Sequence, residues 1–274
     1  MIIWLASYPK SGNTLLRSML SAYFFSKDGV YDFPLIKKIK QFPHGGLFKK
    51  LGIDITNEKE VIDNYINVQN AIINKSQSIK FFKTHSFLFK EFTSLENTLG
   101  VIYIVRDPRN VITSICNHFS LSVEDSKKFL FNPQIIGGYR ENLSAGYIKT
   151  LIGTWSQHYN YWKNSKNFLL IKYENLINQA QIEIEKIIIF LKQFIPIKIN
   201  NIKLNNILNT TSFKNLQNIE KKGLFDENAF KDANTKKKFF LLGPNNNWRT
   251  ILDKNIRCEI ENKFFNEMKE LKYL

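Results

Sequence analysis

Short apolar runs alternate with longer amphipathic segments along the first two thirds of the chain. The apolar runs suit strands that are buried on both faces of a parallel sheet. They predict strands at residues 2–6, 78–82, 101–105 and 168–172. Apolar residues at helical spacing predict helices that start near 14 or span 58–75, 108–118, 144–163 and 180–194. This alternation predicts one α/β domain over residues 1–274, with a central parallel sheet flanked by helices.

The connection between the first strand and the first helix contains Tyr-Pro-Lys-Ser-Gly-Asn-Thr, residues 8–14. Backbone N–H groups of such a loop point inward, and the helix dipole adds positive potential, so an anion can bind there. Gly12 lets a phosphate approach the backbone without a Cβ in the way. The G-x-x-x-x-G-K-[ST] pattern of kinases is absent, because Lys10 precedes the glycine. The segment therefore predicts a phosphate loop of a nucleotide-binding fold, with an ordinary surface turn as the alternative.

The charge balance favours polyanionic partners. The chain has 39 Lys plus Arg against 24 Asp plus Glu, a formal charge of +15. Nucleic acid, an acidic membrane or a phosphorylated small molecule would suit this excess, and compositional drift would also produce it. Two cysteines and the lack of any apolar stretch of about 20 residues predict a cytoplasmic protein without a membrane span. The apolar start of the chain is too short for a signal segment.

A histidine follows the second predicted strand, in Lys83-Thr84-His85. Open α/β sheets bind ligands at the carboxyl ends of their strands, so His85 is a candidate general base. A lone histidine is more often structural, and that reading is preferred for His158, which lies among aromatic residues. His44 and His118 have no supporting context. No cluster of His, Cys, Asp and Glu has the spacing of metal ligands, so no metal is implied.

The loop at residues 8–14 closely resembles the YPKSGTTW loop of sulfotransferases that use 3′-phosphoadenosine 5′-phosphosulfate (PAPS). Further segments resemble that family in the same order: VIYIVRDPRNVITS, the W-x-x-H-x-x-x-W helix followed by a Tyr-Glu pair, TSF, and the late segment FLLGPNNNW. The resemblance implies PAPS as co-substrate. It implies catalytic roles for Lys10, His85 and Lys83. It implies donor binding by Ser11, Gly12, Asn13, Thr14, Arg106, Ser114, Tyr173, Phe213 and Gly243.

This sequence departs from the family pattern at two places. Leu241 and Leu242 stand where the family has an Arg-Lys pair that grips the 3′-phosphate. Arg249 or the lysines at 236–238 are candidate replacements. Leu15 stands where the family has a tryptophan, which leaves Phe213 as the better adenine contact.

The resemblance implies transfer of a sulfuryl group to a hydroxyl of a small-molecule or carbohydrate acceptor, with no nucleic acid as partner. Such acceptor sites come from variable loops, here residues 30–56, 119–143 and 221–240. The sequence leaves the acceptor and the oligomeric state open. A kinase would need a Walker lysine and an acidic magnesium ligand, and neither is present. The alternatives are a homologue that binds nucleotide without turnover and a basic polyanion-binding protein; for Arg106 the alternative is a salt bridge to Asp107 or Glu174.

Overall fold

A parallel sheet of five strands forms the centre of the fold in the computed structural model, which describes residues 1–74, 78–137, 148–225 and 238–274. The strands are β1 (Ile2–Ala6), β2 (Lys40–Gln41), β3 (Lys80–Thr84), β4 (Thr98–Val105), β5 (Gln134–Ile136), β6 (Thr150–Gly153) and β7 (Phe168–Lys172). The strand order in the sheet is β2-β3-β1-β4-β7, and β5 and β6 form a separate antiparallel pair. The predicted α/β class with a parallel sheet is confirmed.

Strand β1 is fully buried and pairs in parallel with β3 on one side and β4 on the other. Its register with β3 runs from Ile2 opposite Lys80 to Ala6 opposite Thr84. Both strands therefore end at the same edge of the sheet, where the Ser7 N–H donates to the Thr84 carbonyl at 3.2 Å. This register brings the residues that follow the two strands together.

The helices cover most of the remaining described residues. The first seven are α1 (Asn13–Phe25), α2 (Gly45–Lys49), α3 (Glu58–Asp63), α4 (Tyr65–Asn74), α5 (Pro108–Phe119), α6 (Val123–Phe131) and α7 (Trp155–Trp162). The others are α8 (Tyr173–Asn178), α9 (Ala180–Leu191), α10 (Asn201–Thr210), α11 (Phe213–Lys221), α12 (Trp248–Ile251), α13 (Lys254–Lys263) and α14 (Phe265–Glu270). Two short 3₁₀ helices lie at Phe33–Lys38 and Gly243–Asn245.

The chain divides into two compact units. Unit 1 comprises Met1–Tyr8, Ile39–Ile104 and Asn132–Leu170, and unit 2 comprises Pro9–Lys38, Val105–Phe131 and Ile171–Leu274. Unit 1 has an aromatic core around Trp4, whose indole N–H donates to the Thr98 hydroxyl at 2.9 Å. In unit 2, α1 packs against α10, and α5 packs against α6, α12 and α13.

Two predicted helices are wrong in extent. Of the helix predicted at 144–163, residues 144–147 lie outside the described residues, 150–153 form strand β6, and only Trp155–Trp162 is helical. The Thr154 hydroxyl accepts from the Gln157 N–H while the Gln157 side chain accepts from the Thr154 N–H, so a capping box starts α7 there. The helix predicted at 58–75 is two helices, α3 and α4, that meet at Asn64. The region 30–56 contains β2 and α2 as well as irregular chain.

Within these described ranges, no helix combines the length and apolar character that crossing a bilayer requires.

Candidate active site

The phosphate loop of unit 2 is a turn that leads directly into α1. Lys10 has a φ of 66° and Gly12 a φ of 102°, both in the left-handed region. Gly12 is the N-cap of α1, and the first turn of that helix holds no acidic residue. The helix N-terminus therefore keeps its positive potential, as a phosphate site requires.

The side chain of Ser11 is fully buried in this loop. Its hydroxyl has no hydrogen-bond partner among the described residues. A buried hydroxyl without a partner costs free energy of about 1–3 kcal/mol, and a bound oxyanion would satisfy it. Asn13 is also buried at the start of α1, and Thr14 is half-buried beside it. The predicted loop residues thus come together in a form that fits a phosphate group.

Lys10 lies against an aromatic ring that sequence analysis missed. Its Nζ is 4.1 Å from the centroid of Phe239, within the range of a cation–π contact. Glu220 of α11 holds this part of the chain, because its carboxylate accepts from the N–H groups of both Phe239 and Phe240. No sequence pattern marks Phe239 as a partner of Lys10.

Arg106 connects the phosphate loop to α8. Its Nη1 donates to the Lys10 carbonyl at 3.2 Å, and its guanidinium carbon lies 4.3 Å from the centroid of the Tyr173 ring. The side chain is 6% exposed, and its Nε has no hydrogen-bond partner in the described part of the chain. Burial raises the pKa of Tyr173, and the nearby Arg106 opposes that rise. A buried, stacked guanidinium with one N–H group that lacks a partner is suited to bind an anion.

The salt bridge considered for Arg106 belongs to a different arginine. Arg109 contacts Asp107 at 2.7 Å and Glu261 at 2.6 Å, and it also donates to the Tyr273 carbonyl. Glu174 accepts from the Asp107 N–H and from the Tyr273 hydroxyl. Arg109 is therefore fully engaged in structure, whereas the bonds of Arg106 are with the phosphate loop.

One face of α5 receives the late segment of the chain. The Thr113 hydroxyl donates to the Asn246 side chain at 2.7 Å, and Asn246 donates to the Asn110 carbonyl at 2.8 Å. One turn further, the Asn117 side chain donates to the Lys238 carbonyl at 3.2 Å. Ser114 is half-buried on this helix, next to Thr113. Of the candidate cations for the 3′-phosphate, Lys238 lies beside α5, and residues 236 and 237 lie outside the described residues.

Phe213 and Gly243 are in direct contact. Phe213 begins α11 behind the N-cap Ser212, and Gly243 has a φ of 50°. A Cβ added to Gly243 would lie 2.1 Å from Cε2 of the Phe213 ring. The glycine is therefore required at this position both by backbone conformation and by the close approach of the ring. Leu241, which replaces a family basic residue, is 43% exposed.

A Gly243→Ala variant is expected to lower the free energy of unfolding more than Gly223→Ala, by about 1–3 kcal/mol. Both glycines have a positive φ, 50° and 70°, so both variants carry the same kind of backbone cost. Only the Cβ at 243 meets Phe213, since nothing lies within 4 Å of a Cβ at 223. Urea unfolding of the two variants measures the difference, and equal losses would contradict the contact.

His85 follows β3 in unit 1 and bonds to the residue that follows β1. Its Nδ1 lies 2.7 Å from the Ser7 carbonyl oxygen and 3.3 Å from the Ser7 hydroxyl. A carbonyl only accepts, so Nδ1 carries the proton, and in the neutral ring Nε2 carries the lone pair. The ring thus has the tautomer that a general base acting through Nε2 requires. Lys83 is half-buried in β3, and its predicted role as a second cation stays a prediction.

The other histidines have structural contacts. His158 is fully buried, and burial lowers its pKa to about 3. His44 caps α2 by accepting from the Gly46 N–H. His118 packs edge-on against Phe119 and Phe239. Among the residues described, no group of three or more His, Cys, Asp and Glu side chains could hold a metal ion.

The candidate residues divide between the two units. Unit 2 contains Lys10, Arg106 and the other predicted donor-binding residues, which are Ser11, Gly12, Asn13, Thr14, Ser114, Tyr173, Phe213 and Gly243. Unit 1 contains His85 and Lys83. The structure adds Phe239 to these candidates through its contact with Lys10.

Comparison with known proteins identifies relatives across almost the whole sequence. The sequence model of the sulfotransferase domain family matches residues 2–272. Cytosolic sulfotransferase 7 of Arabidopsis thaliana is 25% identical over 232 residues, which cover 80% of this chain and 64% of that protein. Luciferin sulfotransferase of Photinus pyralis is 26% identical over 235 residues, which cover 79% of this chain and 56% of that protein. The chain thus matches less than two thirds of the length of these relatives.

Solved structures of similar fold include two complexes with 3′-phosphoadenosine 5′-phosphate (PAP). Mouse sulfotransferase SULT7A1 complexed with PAP has a TM-score of 0.60 at 19% identity, over 97% of this chain and 84% of that one. Retinol dehydratase, in complex with androsterone and inactive cofactor PAP, has a TM-score of 0.62 at 17% identity, over 98% of this chain and 80% of that one. These likenesses show a shared α/β fold. The family match over residues 2–272 confirms the resemblance seen in the sequence: this chain belongs to the sulfotransferase domain family.

Proposed function

We propose that this protein transfers the sulfuryl group of PAPS to a hydroxyl of a small-molecule or carbohydrate acceptor. The observation that carries the proposal is that two buried polar atoms of unit 2, Ser11 Oγ and Arg106 Nε, have no partner in the described part of the chain. Phosphate groups of the donor would satisfy both. Relatives named sulfotransferases, and structural neighbours in complex with PAP, support the same donor.

In this proposal the loop N–H groups, Ser11 and Thr14 bind the 5′-phosphate. Arg106 and Ser114 bind the 3′-phosphate, and Phe213 and Tyr173 contact the adenine. The donor supplies a sulfuryl group, whose bond to the phosphate oxygen breaks as the acceptor oxygen bonds to sulfur.

Lys10 stabilises the negative charge that develops on the leaving phosphate oxygen, with Lys83 as a second cation. His85 Nε2 accepts the proton that the acceptor hydroxyl loses. The Nδ1–H tautomer of His85 supports this role, as does the position of its partner Ser7, three residues before Lys10 in the chain. Each of these steps uses positioning and electrostatics, so the proposed reaction requires no metal.

The proposed location is the cytoplasm. Relatives are named cytosolic sulfotransferases, and both Cys116 and Cys258 are free thiols. We expect no nucleic acid as partner.

We expect calorimetric titration to show that PAP binds, with unchanged affinity in EDTA, and that adenosine 5′-phosphate (AMP), which lacks the 3′-phosphate, binds more weakly. In Arg106→Gln, we expect the affinity for PAP to fall by roughly 10- to 100-fold, because a charge-assisted hydrogen bond is worth about 1.5–3 kcal/mol. AMP affinity serves as the control for the loop, since Arg106 also bonds to the Lys10 carbonyl. An equal loss for PAP and AMP would remove Arg106 from the 3′-phosphate site. Absence of PAP binding to the unaltered protein would contradict the proposed donor.

The second candidate function is nucleotide binding without turnover, which the replacement of the Arg-Lys pair by Leu241 and Leu242 favours. That function predicts PAP binding as above but no transfer from radiolabelled PAPS across a panel of hydroxylated metabolites. Transfer to any acceptor that is lost in His85→Ala would exclude it.

A further inference from the structure

Helix α7 presents two hydrogen-bond donors to the segment that carries His85. His158 Nε2 lies 3.2 Å from the His85 carbonyl oxygen, and the Trp162 indole N–H donates to the Ser86 carbonyl at 3.0 Å. Residues four apart lie on the same face of a helix, so one face of α7 binds two successive carbonyl groups. Both donor side chains are buried. Buried polar groups in proteins are normally hydrogen-bonded, and these two bonds satisfy the donors.

The hydrogen bonds of His158 fix its tautomer. Because the His85 carbonyl can only accept, His158 Nε2 carries the proton and its Nδ1 accepts. The partner of Nδ1 is the Tyr103 hydroxyl at 2.9 Å, which is therefore the donor in that bond. The Tyr103 oxygen in turn accepts from the backbone N–H of Tyr8.

These bonds close into a ring within unit 1. His85 Nδ1–H donates to the Ser7 carbonyl, which belongs to the same planar peptide group as the Tyr8 N–H. That N–H donates to Tyr103, Tyr103 donates to His158, and His158 donates back to the His85 carbonyl. Every donor points the same way around the ring, an arrangement in which hydrogen bonds strengthen one another. The direction cannot reverse, because neither carbonyl can donate.

We infer that His158 and Tyr103 are positioning residues for the proposed base. His158 bonds to the His85 carbonyl, and Tyr103 bonds to the peptide group that accepts the hydrogen bond from His85 Nδ1–H. This inference rests on the proposed function of His85. The ring fixes the Nδ1–H tautomer and leaves Nε2 as the basic nitrogen. The backbone and the imidazole of His85 are thus held by the same set of bonds, which limits the directions in which Nε2 can point.

The test compares His158→Leu, His158→Gln and Tyr103→Phe with Tyr159→Phe as the control. Tyr159 is a buried tyrosine on α7 next to His158, and Tyr159→Phe removes one hydroxyl while keeping the packing of its ring against Tyr103. The amide of Gln at 158 can still donate to the His85 carbonyl, whereas Leu cannot. We expect kcat to fall by roughly 10- to 100-fold in His158→Leu, the size of effect that misplacing a catalytic group produces. We expect His158→Gln to recover most of that loss, Tyr103→Phe to lie between the two, and PAP affinity to stay unchanged in all four variants.

A second measurement does not depend on turnover. In ¹⁵N-histidine NMR spectra of the unaltered protein we expect His85 as the Nδ1–H tautomer and His158 as the Nε2–H tautomer. In folded His158→Leu we expect His85 to show a mixture of tautomers, with the single tautomer retained in His158→Gln. If the unaltered protein transfers no sulfate, the proposed function fails, and the NMR spectra still decide whether the ring exists.

Two outcomes would overturn the inference. One is a folded His158→Leu variant with unchanged kcat and an unchanged His85 tautomer. The other is a parallel loss of kcat, PAP affinity and thermal stability with no recovery in His158→Gln, which would show a structural role only. Should His158→Leu fail to fold, His158→Gln and Tyr103→Phe carry the same comparison, because each keeps a similar side-chain volume.

Discussion

Replacing His85 by alanine is expected to lower the rate of sulfuryl transfer by about 10²- to 10⁴-fold, the usual contribution of a general base, and to leave PAP affinity unchanged. The donor-binding candidates lie in unit 2, whereas His85 lies in unit 1 and bonds to Ser7. The imidazole is proposed to accept a proton from the acceptor and not to bind the donor, so its removal should affect proton transfer and not nucleotide binding. Single-turnover transfer from radiolabelled PAPS and calorimetry with PAP measure the two quantities separately.

The nature of the acceptor provides a sharper form of this test. Acidic acceptors such as nitrophenols need less help from a base than aliphatic alcohols, so His85→Ala should impair them less. His44→Ala is a matched control, because His44 is an exposed histidine of the same unit that caps α2. If His85→Ala lowered the transfer rate equally for acidic and weakly acidic acceptors, His85 would not act as a base.

A Lys10→Met variant is expected to lower kcat by about 10²- to 10³-fold, the typical loss when a group that stabilises transition-state charge is removed. Methionine retains the length and apolar character of the side chain, so its contact with Phe239 can persist while the charge is lost. The affinity for PAPS should fall much less than kcat, since the leaving oxygen of PAPS gains its charge only during the reaction.

Lys37→Met is the control for this variant. Lys37 also lies over an aromatic ring of unit 2, with its Nζ 5.8 Å from the centroid of Phe33. It has no assigned part in the reaction, so its variant should keep normal kcat. If Lys10→Met retained kcat within about threefold, a difference worth well under 1.4 kcal/mol, the proposed catalytic role of Lys10 would be wrong.

Local patterns predicted the sheet and the opening strand, loop and helix because the determining residues are adjacent in sequence. Ile2–Ala6 is a strand because every residue in it is apolar, and the loop leads into α1 because glycine precedes the apolar helical period. The prediction of a helix at 144–163 was wrong because it followed the periodicity of the aromatic residues and overlooked a local signal for the start of a helix. That signal, the capping box of Thr154 and Gln157, was present in the sequence.

Long-range contacts of the site could not be predicted in the same way. Phe239 reaches Lys10 across more than two hundred residues of chain, and no local pattern encodes that pairing. The sequence suggested Arg106 as a possible salt-bridge partner of Asp107, and only the fold shows that the partner is Arg109. The spacing of His158 and Trp162 was a usable signal, since residues four apart share a helix face, but their carbonyl partners depend on tertiary structure.

The late segment, residues 240–248, is bound to α5 although it lacks the family's Arg-Lys pair. Asn246 bonds with Thr113 and Asn110, and the Trp248 N–H donates to the Asn110 side chain at 2.9 Å. Attachment to α5 therefore comes from asparagine side chains, and these bonds do not involve the side chains of Leu241 and Leu242. Gly243, which follows Leu242, is packed against Phe213.

Helix α11 carries Phe213 at its first residue and Glu220 near its last. Seven residues of α-helix extend about 10 Å, so a rigid rod sets the spacing between the aromatic ring proposed for adenine and the anchor of Phe239. Loop length elsewhere can change without altering that interval. In the proposed site, the distance between the ring assigned to adenine and the Lys10 ammonium, which contacts Phe239, therefore depends on the number of helical residues between Phe213 and Glu220.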